Sequence, residues 1–442
     1  MSFSKDNSNK LAEKLAFIWY GPVYSLGGYG SVSRLFVSNL VRLGFKVKVV
    51  SYGSADKSKL DKTMVKLLED CENNEIPERL TKILVQHQLP HNVYSLKFSG
   101  VDYSVMMTIF ETDSIPKNWV HICNKGSFDE IWVPTMFNFK TFSKAGVRKD
   151  KLRVVHYGLE NIDKSIGAEY KKKNRRFRFL YIADLIPRKN IPLLITAFSK
   201  EFENNDNVEL FIQLSYSSKL VLNEFMSKYD NLFRRSNIII GKEKLTENQV
   251  ASLIASSDVY ISLDKANGWG MPCMEAMSYG VLSATVDWSG STEFMKEDNS
   301  LLIKPSKLEL VDPESALLNP IYCGQKWAHV SEQTVRKTMR NAYENNKKLQ
   351  KLSEKAKMDI RREFNIEHII DNLVKDLETI GIKNNNSSVF IKRSEWYMVL
   401  LNKIRVILRY NINYLISYKS PRLILRISKV IFWRSNSLLS KK

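Results

Sequence analysis

The chain has 442 residues, 44% of them apolar, and a formal net charge of +20. This length exceeds what one hydrophobic core serves, so two or three globular domains are expected rather than a disordered or fibrous chain. No uncharged apolar run is long enough to span a bilayer, residues 1–14 hold no signal-peptide core, and Cys71, Cys123, Cys273 and Cys323 show neither metal-ligand spacing nor any sign of an oxidising compartment. A cytoplasmic location is the expectation.

Residues 15–20 read as a strand, 31–43 as a helix closed by Gly44, and 46–52 as the next strand. A β-α-β opening implies a parallel sheet. The loop Gly27-Gly28-Tyr29-Gly30 lies between, and Gly28 and Gly30 would let backbone approach a diphosphate or an acceptor. A tight turn needing glycine for geometry alone is the competing reading. The following strand ends Val49-Val50-Ser51-Tyr52 without the acid of a dinucleotide site, which disfavours nicotinamide binding.

Residues 53–100 are charged and read as helices with an insertion; His87 and His91 fall in a loop and do not make a metal pair. Strands are expected at 103–109 and 130–133. Glu111, in Thr108-Ile-Phe-Glu111-Thr-Asp113 at a strand end, is either a cleft group that orients or deprotonates an acceptor hydroxyl or a surface acid. His156 is read as structural or cleft-lining near Gly158. The polar segment 164–176 is the candidate interdomain linker.

A second alternating α/β unit starts at Phe177 and continues through strands at 208–214, 237–240 and 258–263, with a capping box, Thr246-Glu-Asn-Gln249, opening the helix before the last. Arg188 and Lys189 follow its first strand. A planar guanidinium fork and a point charge suit phosphate oxygens; two solvated cations in a turn are the plainer alternative.

The richest stretch is Asn267-Gly-Trp-Gly-Met-Pro-Cys-Met-Glu275-Ala-Met-Ser-Tyr-Gly280, between two apolar runs and therefore in a strand–loop–helix–strand unit. Pro272 fits the first helical position and Gly280 the residue past the end. Gly268, Gly270 and Met271 then offer backbone amides at a helix N-terminus, where an anion is favoured. Glu275 is expected on the first turn, facing the same mouth. A carboxylate there suits hydroxyls such as a ribose diol, unless it only complements the helix dipole.

Residues 331–379 read as helical. After the polar linker 384–388, residues 389–442 form two amphipathic helical patterns, one with Asn402, Arg405, Arg409 and Asn413 in a stripe. From Gly381 onward thirteen Lys/Arg face only Glu395, so +12 of the net +20 sits in the tail. That argues against a nucleic-acid-binding core and for docking of residues 389–442 on an anionic membrane surface; a packed helical hairpin is the alternative.

The Asn267–Gly280 stretch resembles the nucleotide-sugar signature of glycosyltransferase family 4 (glycosyl transferases group 1), a retaining family of GT-B fold, in which two glutamates bracket seven residues that include Gly-Phe-Gly-Met/Leu-Pro. Glu275 is the second glutamate, and Asn267 replaces the first. The blocks at 18–30, 128–158 and 179–190 resemble the family in the same order, so the likeness covers roughly residues 15–375. It implies an α/β fold of two Rossmann-like doubly wound domains facing a cleft, here an acceptor domain at 1–165 and a donor domain at 177–380. It also implies a last helix crossing back to the first domain.

By this resemblance Arg188 and Lys189 meet the donor diphosphate, Glu275 the ribose, and Asn267 the donor sugar. No Asp-x-Asp pair is present, so fixed charge rather than metal is expected to neutralise the leaving diphosphate, with no cofactor. The partners implied are a nucleoside-diphosphate sugar and a glycan or lipid-linked acceptor. Asn267 keeps a second reading open, a catalytically silent subunit that binds glycan or scaffolds a synthase complex. Sugar-phosphate isomerisation or epimerisation on the same fold is a weaker third.

Overall fold

The computed structural model describes residues 10–53, 57–92, 100–160, 176–202, 207–215, 219–235 and 237–379. The proposed linker, save Arg176, and the tail 389–442 lie outside the described residues. Two six-stranded parallel sheets organise the chain. The first holds β1 (Leu15–Gly21), β2 (Lys46–Ser51), β3 (Thr81–His87), β4 (Tyr103–Met107), β5 (Glu130–Val133) and β6 (Leu152–Val154), in the order β2-β1-β3-β4-β5-β6. The second holds β7 (Phe177–Ala183), β8 (Val208–Leu214), β9 (Ile238–Gly241), β10 (Val259–Ser262), β11 (Leu282–Val286) and β12 (Leu301–Ile303), in the order β12-β11-β10-β7-β8-β9. An antiparallel hairpin, β13 (Lys307–Leu310) and β14 (Lys326–His329), follows. These are the two doubly wound domains that the resemblance implies.

Central parallel strands are covered on both faces and read as continuous apolar runs. All seven residues of β1 are buried, as are all four of β10, from Val259 to Ser262. The main departure from the sequence reading is β3. It occupies the middle of the first sheet, inside a stretch read as helices and an insertion. Lys82, Gln86 and His87 break its apolar run to Ile83-Leu84-Val85, three fully buried residues. His87 thus ends a central strand and does not lie in a loop.

The first helix also starts earlier than expected, at Gly28, and runs to Arg42. Gly28 and Gly30 therefore belong to its first turn. Gly30 sits against the preceding turn so closely that a Cβ would lie 1.9 Å from the Ser25 carbonyl oxygen, whereas a Cβ on Gly28 would meet nothing within 4 Å. The requirement at Gly30 is close packing; Gly28 faces open space.

The order of the second sheet reverses between β7 and β10, which are hydrogen-bonded neighbours. In open α/β sheets ligands bind beyond the strand C-termini at such a reversal. The last described helix, Ile366–Thr379, packs on the Gly28–Arg42 helix of the first domain and is fastened by Arg42–Glu367 at 2.6 Å and Arg153–Asp376 at 3.1 Å. The chain does cross back. Beside the crossing, the Leu159 N–H donates to the Phe364 carbonyl (2.9 Å) and the Ile366 N–H to the Leu159 carbonyl (3.0 Å). Among the described residues no helix is long and apolar enough to cross a membrane.

Candidate functional site

Arg188 and Lys189 occupy one 3-10 turn, Pro187–Lys189, after β7. Asn190 turns the chain with φ 52° into the helix Ile191–Glu201. The two cations have different surroundings. Lys189 Nζ lies 2.6 Å from Asp264 Oδ2, just beyond the neighbouring β10. Tyr181, whose hydroxyl also donates to the Lys189 carbonyl at 2.9 Å, donates to the same carboxylate. Burial alone would raise the Asp264 pKa, but Lys189 and Arg188 hold it below the ordinary carboxylate value. Lys189 is thus paired within the protein rather than left as a free phosphate cation.

Arg188 keeps capacity. Its Nη1 donates to the Ala266 carbonyl at 2.6 Å, its Nη2 is 3.6 Å from Glu111 Oε1, and its buried Nε has no partner among the described residues. Buried polar groups are normally satisfied, so the open Nε marks where an acceptor is wanted.

The loop after β10 faces this guanidinium. Gly270, at φ 95°, is the N-cap of the helix Met271–Ser278, and Pro272 takes the second helical position, one later than expected. The Cys273 and Met274 N–H groups close onto the Gly270 carbonyl at 2.9 and 3.2 Å, whereas those of Gly268, Trp269, Gly270 and Met271 donate to nothing among the described residues. Four successive free amides at a helix N-terminus are donors of the kind that suits an anion. Gly268 has a separate reason to lack a side chain: a Cβ would lie 2.3 Å from Ile109 Cγ1 of the first domain.

Asn267 is built into the motif loop. Its side chain is buried and turned to Ser291, accepting the Ser291 N–H at 2.8 Å and donating to the hydroxyl at 3.2 Å. Its backbone is equally tied, to the Ser289 hydroxyl and the Gly290 N–H, both at 2.9 Å. It fixes the motif loop to the turn after β11.

Glu275 falls in the second helical turn, not the first, because Met271 rather than Pro272 begins the helix. Its carboxylate has no hydrogen bond among the described residues. Burial, and then the nearby Glu247, push its pKa up to about 7. Glu247 opens the helix Glu247–Ala255, whose expected capping box is formed, and pairs at 2.6 Å with Arg34 across the cleft. The almost fully buried Arg34 also holds the carbonyls of Val23 (2.8 Å) and Ser25 (2.6 Å), the turn against which Gly30 packs. A cavity of about 750 Å³ lies near the C-termini of β8 and β9, lined by Phe211, Gln213, Gly241, Lys242, Asn248 and Gln249 among others.

The first domain closes over the site. Glu111 faces Arg188, and Tyr322, between β13 and β14, donates its hydroxyl to Glu111 Oε2 at 3.3 Å. Thr112 is hydrogen-bonded to Gln325, and the Lys326 N–H donates to Asp113 Oδ1 at 2.6 Å. His156 Nε2 is 3.0 Å from Glu293 Oε1, while Glu293 Oε2 accepts the Met136 N–H at 2.8 Å. His87 is buried, 2.8 Å from the Ser33 hydroxyl through Nδ1, with burial pulling its pKa down to about 3. Among the described residues no cluster of three His, Cys, Asp or Glu could hold a metal.

The structure therefore gathers Arg188, Lys189, Asn267, Gly268, Gly270, Met271, Pro272 and Glu111 around one crevice, with Glu275 on the same helix. Gly30 is a packing residue. Sequence reasoning missed Asp264, Ser291, Arg34, Glu247, Glu293 and Tyr322. Of these only Asp264, an acid just past a buried strand and ahead of the motif, carried a local signal.

Residues 163–312 match the model of the family Glycosyl transferases group 1. No curated protein matches the chain. Among solved structures, a glycosyltransferase from Rickettsia africae superposes with a TM-score of 0.59 at 14% identity, over 83% of this chain and 99% of that one. HepE of Anabaena, crystallised with UDP and glucose, gives 0.56 at 12% identity over 83% and 100%. WaaG, a glycosyltransferase involved in lipopolysaccharide biosynthesis, gives 0.55 at 14% identity over 82% and 99%. At these identities the likeness shows the fold, which is GT-B.

Proposed function

We propose that this chain is a glycosyltransferase. It moves a sugar from a nucleoside-diphosphate donor to a glycan or lipid-linked glycan acceptor, with retention and without metal, in the synthesis of cell-surface polysaccharide or glycoconjugate. The observation that carries the reading is the juxtaposition of four unpaired amides, at Gly268, Trp269, Gly270 and Met271, with Arg188 and its open Nε, at the reversal point of the second sheet. The match of residues 163–312 and the nucleotide and sugar bound to HepE support it.

In this reading the base enters the cavity beside β8 and β9, and the ribose hydroxyls donate to Glu275 in its ionised form. The diphosphate lies on the amides and Arg188. As the sugar departs, charge grows on the diphosphate, and fixed donors that need no reorganisation stabilise it most in the transition state. Asp264 keeps Lys189 and Arg188 in place. The acceptor hydroxyl approaches from the first domain, on the face the leaving group vacates. The basic residues of 389–442 hold the protein at an anionic membrane surface on the cytoplasmic side.

One observation favours the second reading, a silent subunit: the Asn267 side chain is buried and engaged with Ser291 through both its oxygen and its nitrogen. Screening nucleotide sugars for thermal stabilisation, followed by mass spectrometry of products from a lipid-linked acceptor with and without chelator, separates the two. Donor-dependent product in chelator is expected. Loss of product in chelator that magnesium restores refutes the fixed-charge mechanism, and donor binding with no product on any acceptor leaves the silent subunit.

A further inference from the structure

We propose that Tyr322, together with Arg188, forms the seat for the donor diphosphate, and that in the ligand-free chain Glu111 occupies this seat as an internal stand-in for it. Tyr322 lies outside the residues that match the family model. The inference rests on the donor-site reading above and adds to it a residue that touches the leaving group.

Three groups meet at this point. Glu111 places one carboxylate oxygen 3.6 Å from Arg188 Nη2, and its other oxygen accepts the Tyr322 hydroxyl at 3.3 Å. A carboxylate held by a guanidinium and a phenol presents two oxygens to two donors, as a phosphate does. Both contacts are looser than charge-assisted hydrogen bonds made to fit, which run at ~2.7–2.9 Å for a cation and an anion. The seat therefore suits a larger anion better than it suits Glu111.

The three groups come from separately anchored segments. Ile109 rests on Gly268, so the Glu111 segment lies directly over the motif glycines. Thr112 is hydrogen-bonded to Gln325, and Gln325 Nε2 donates to the Ile321 carbonyl at 2.7 Å, fixing the turn that carries Tyr322. The Tyr322 ring stacks on Phe110 at 5.5 Å, so the hydroxyl is aimed from both sides. Burial, and then Glu111, raise the Tyr322 pKa, which keeps the phenol protonated as a donor. A diphosphate arriving at Arg188 repels the Glu111 carboxylate and inherits both of its donors. No covalent bond is broken in this exchange; one hydrogen-bond acceptor replaces another.

The two residues predict opposite signs. In calorimetric titrations at fixed ionic strength with inorganic pyrophosphate, UDP and GDP, Glu111→Gln should tighten binding of at least one probe by about threefold or more, since the competing charge is gone. Tyr322→Phe keeps the ring and its stacking, and should weaken the same probe by about tenfold, the loss of one hydrogen bond to a charged group. The double variant should bind more weakly than Glu111→Gln alone. If Tyr322→Phe binds as tightly as the wild type or more so, Tyr322 serves only Glu111 and the proposal fails. Weaker binding by Glu111→Gln also overturns it, because Glu111 would then be orienting Arg188. If folded wild-type protein binds none of the three probes, the donor-site reading itself falls, an outcome recognisable because no affinity exists to perturb.

Discussion

Adding a single methyl group at Gly268 should slow the enzyme without unfolding it. A Cβ there would lie 2.3 Å from Ile109 Cγ1 and 2.4 Å from Cδ1. Carbon atoms rest at ~3.5 Å or more, so Ile109 must retreat by about 1.2 Å. Gly268 is not in the left-handed region, so the penalty comes from contact rather than from backbone strain. Overpacking of this kind costs about 1–3 kcal/mol. The clash lies between domains, and separating them relieves it while both sheets stay intact. A penalty of that size lowers the closed-to-open ratio by about 5–150-fold, and kcat/KM should fall by up to that factor in steady-state transfer assays. Thermal unfolding should barely move, and Ile109→Ala should restore most of the rate. A double variant as slow as Gly268→Ala, or a melting temperature that falls with the rate, would refute the reasoning.

Nucleotide-sugar affinity should rise about tenfold from pH 6 to 8, as Glu275 ionises through a pKa of about 7 and becomes an acceptor for ribose hydroxyls; Glu275→Gln should bind weakly with a flat profile. Because the folded value lies above the unfolded one, the same group should subtract stability as pH climbs from about 4.5 through 7, measurable by urea titration. Arg34→Ala should move the midpoint of that binding profile upward, since Glu247 loses its counter-charge beside Glu275; an unmoved midpoint would break this link. Deleting residues 384–442 should abolish sedimentation with anionic liposomes, and full-length protein that ignores such liposomes would end the membrane reading.

The parts of the fold visible in the sequence were those written in contiguous residues. β1 and β10 are unbroken apolar runs, the Thr246–Gln249 capping box is four residues long, and the motif around Gly268–Pro272 carries its own glycines and proline. β3 was hidden because polar residues at both ends reduce its apolar signal to three positions. The missing parts of the site are relations between distant residues. Asp264 meets Lys189 across adjacent strands, Glu247 meets Arg34 across 213 positions, and Glu111 meets Tyr322 across 211. Asn267 stands out in the sequence by its place in the motif, but no local pattern announces that Ser291 will bind its carboxamide.

The mutual pairing of Leu159 with Phe364 and Ile366 limits how the two halves can move. The backbone at Leu159 and the backbone that returns at residues 364–366 are hydrogen-bonded to each other. Two separate connections could shear or twist independently; two that are laced together act as one pivot. Gly158 is part of that pivot, because a Cβ on it would lie 2.8 Å from the Phe364 carbonyl oxygen and 2.9 Å from Ile369 Cδ1. Arg34–Glu247, Glu111–Arg188 and His156–Glu293 tie the two halves at points away from this corner. A ligand that entered the crevice and replaced any of these contacts would act on both halves at once, about a corner that stays laced.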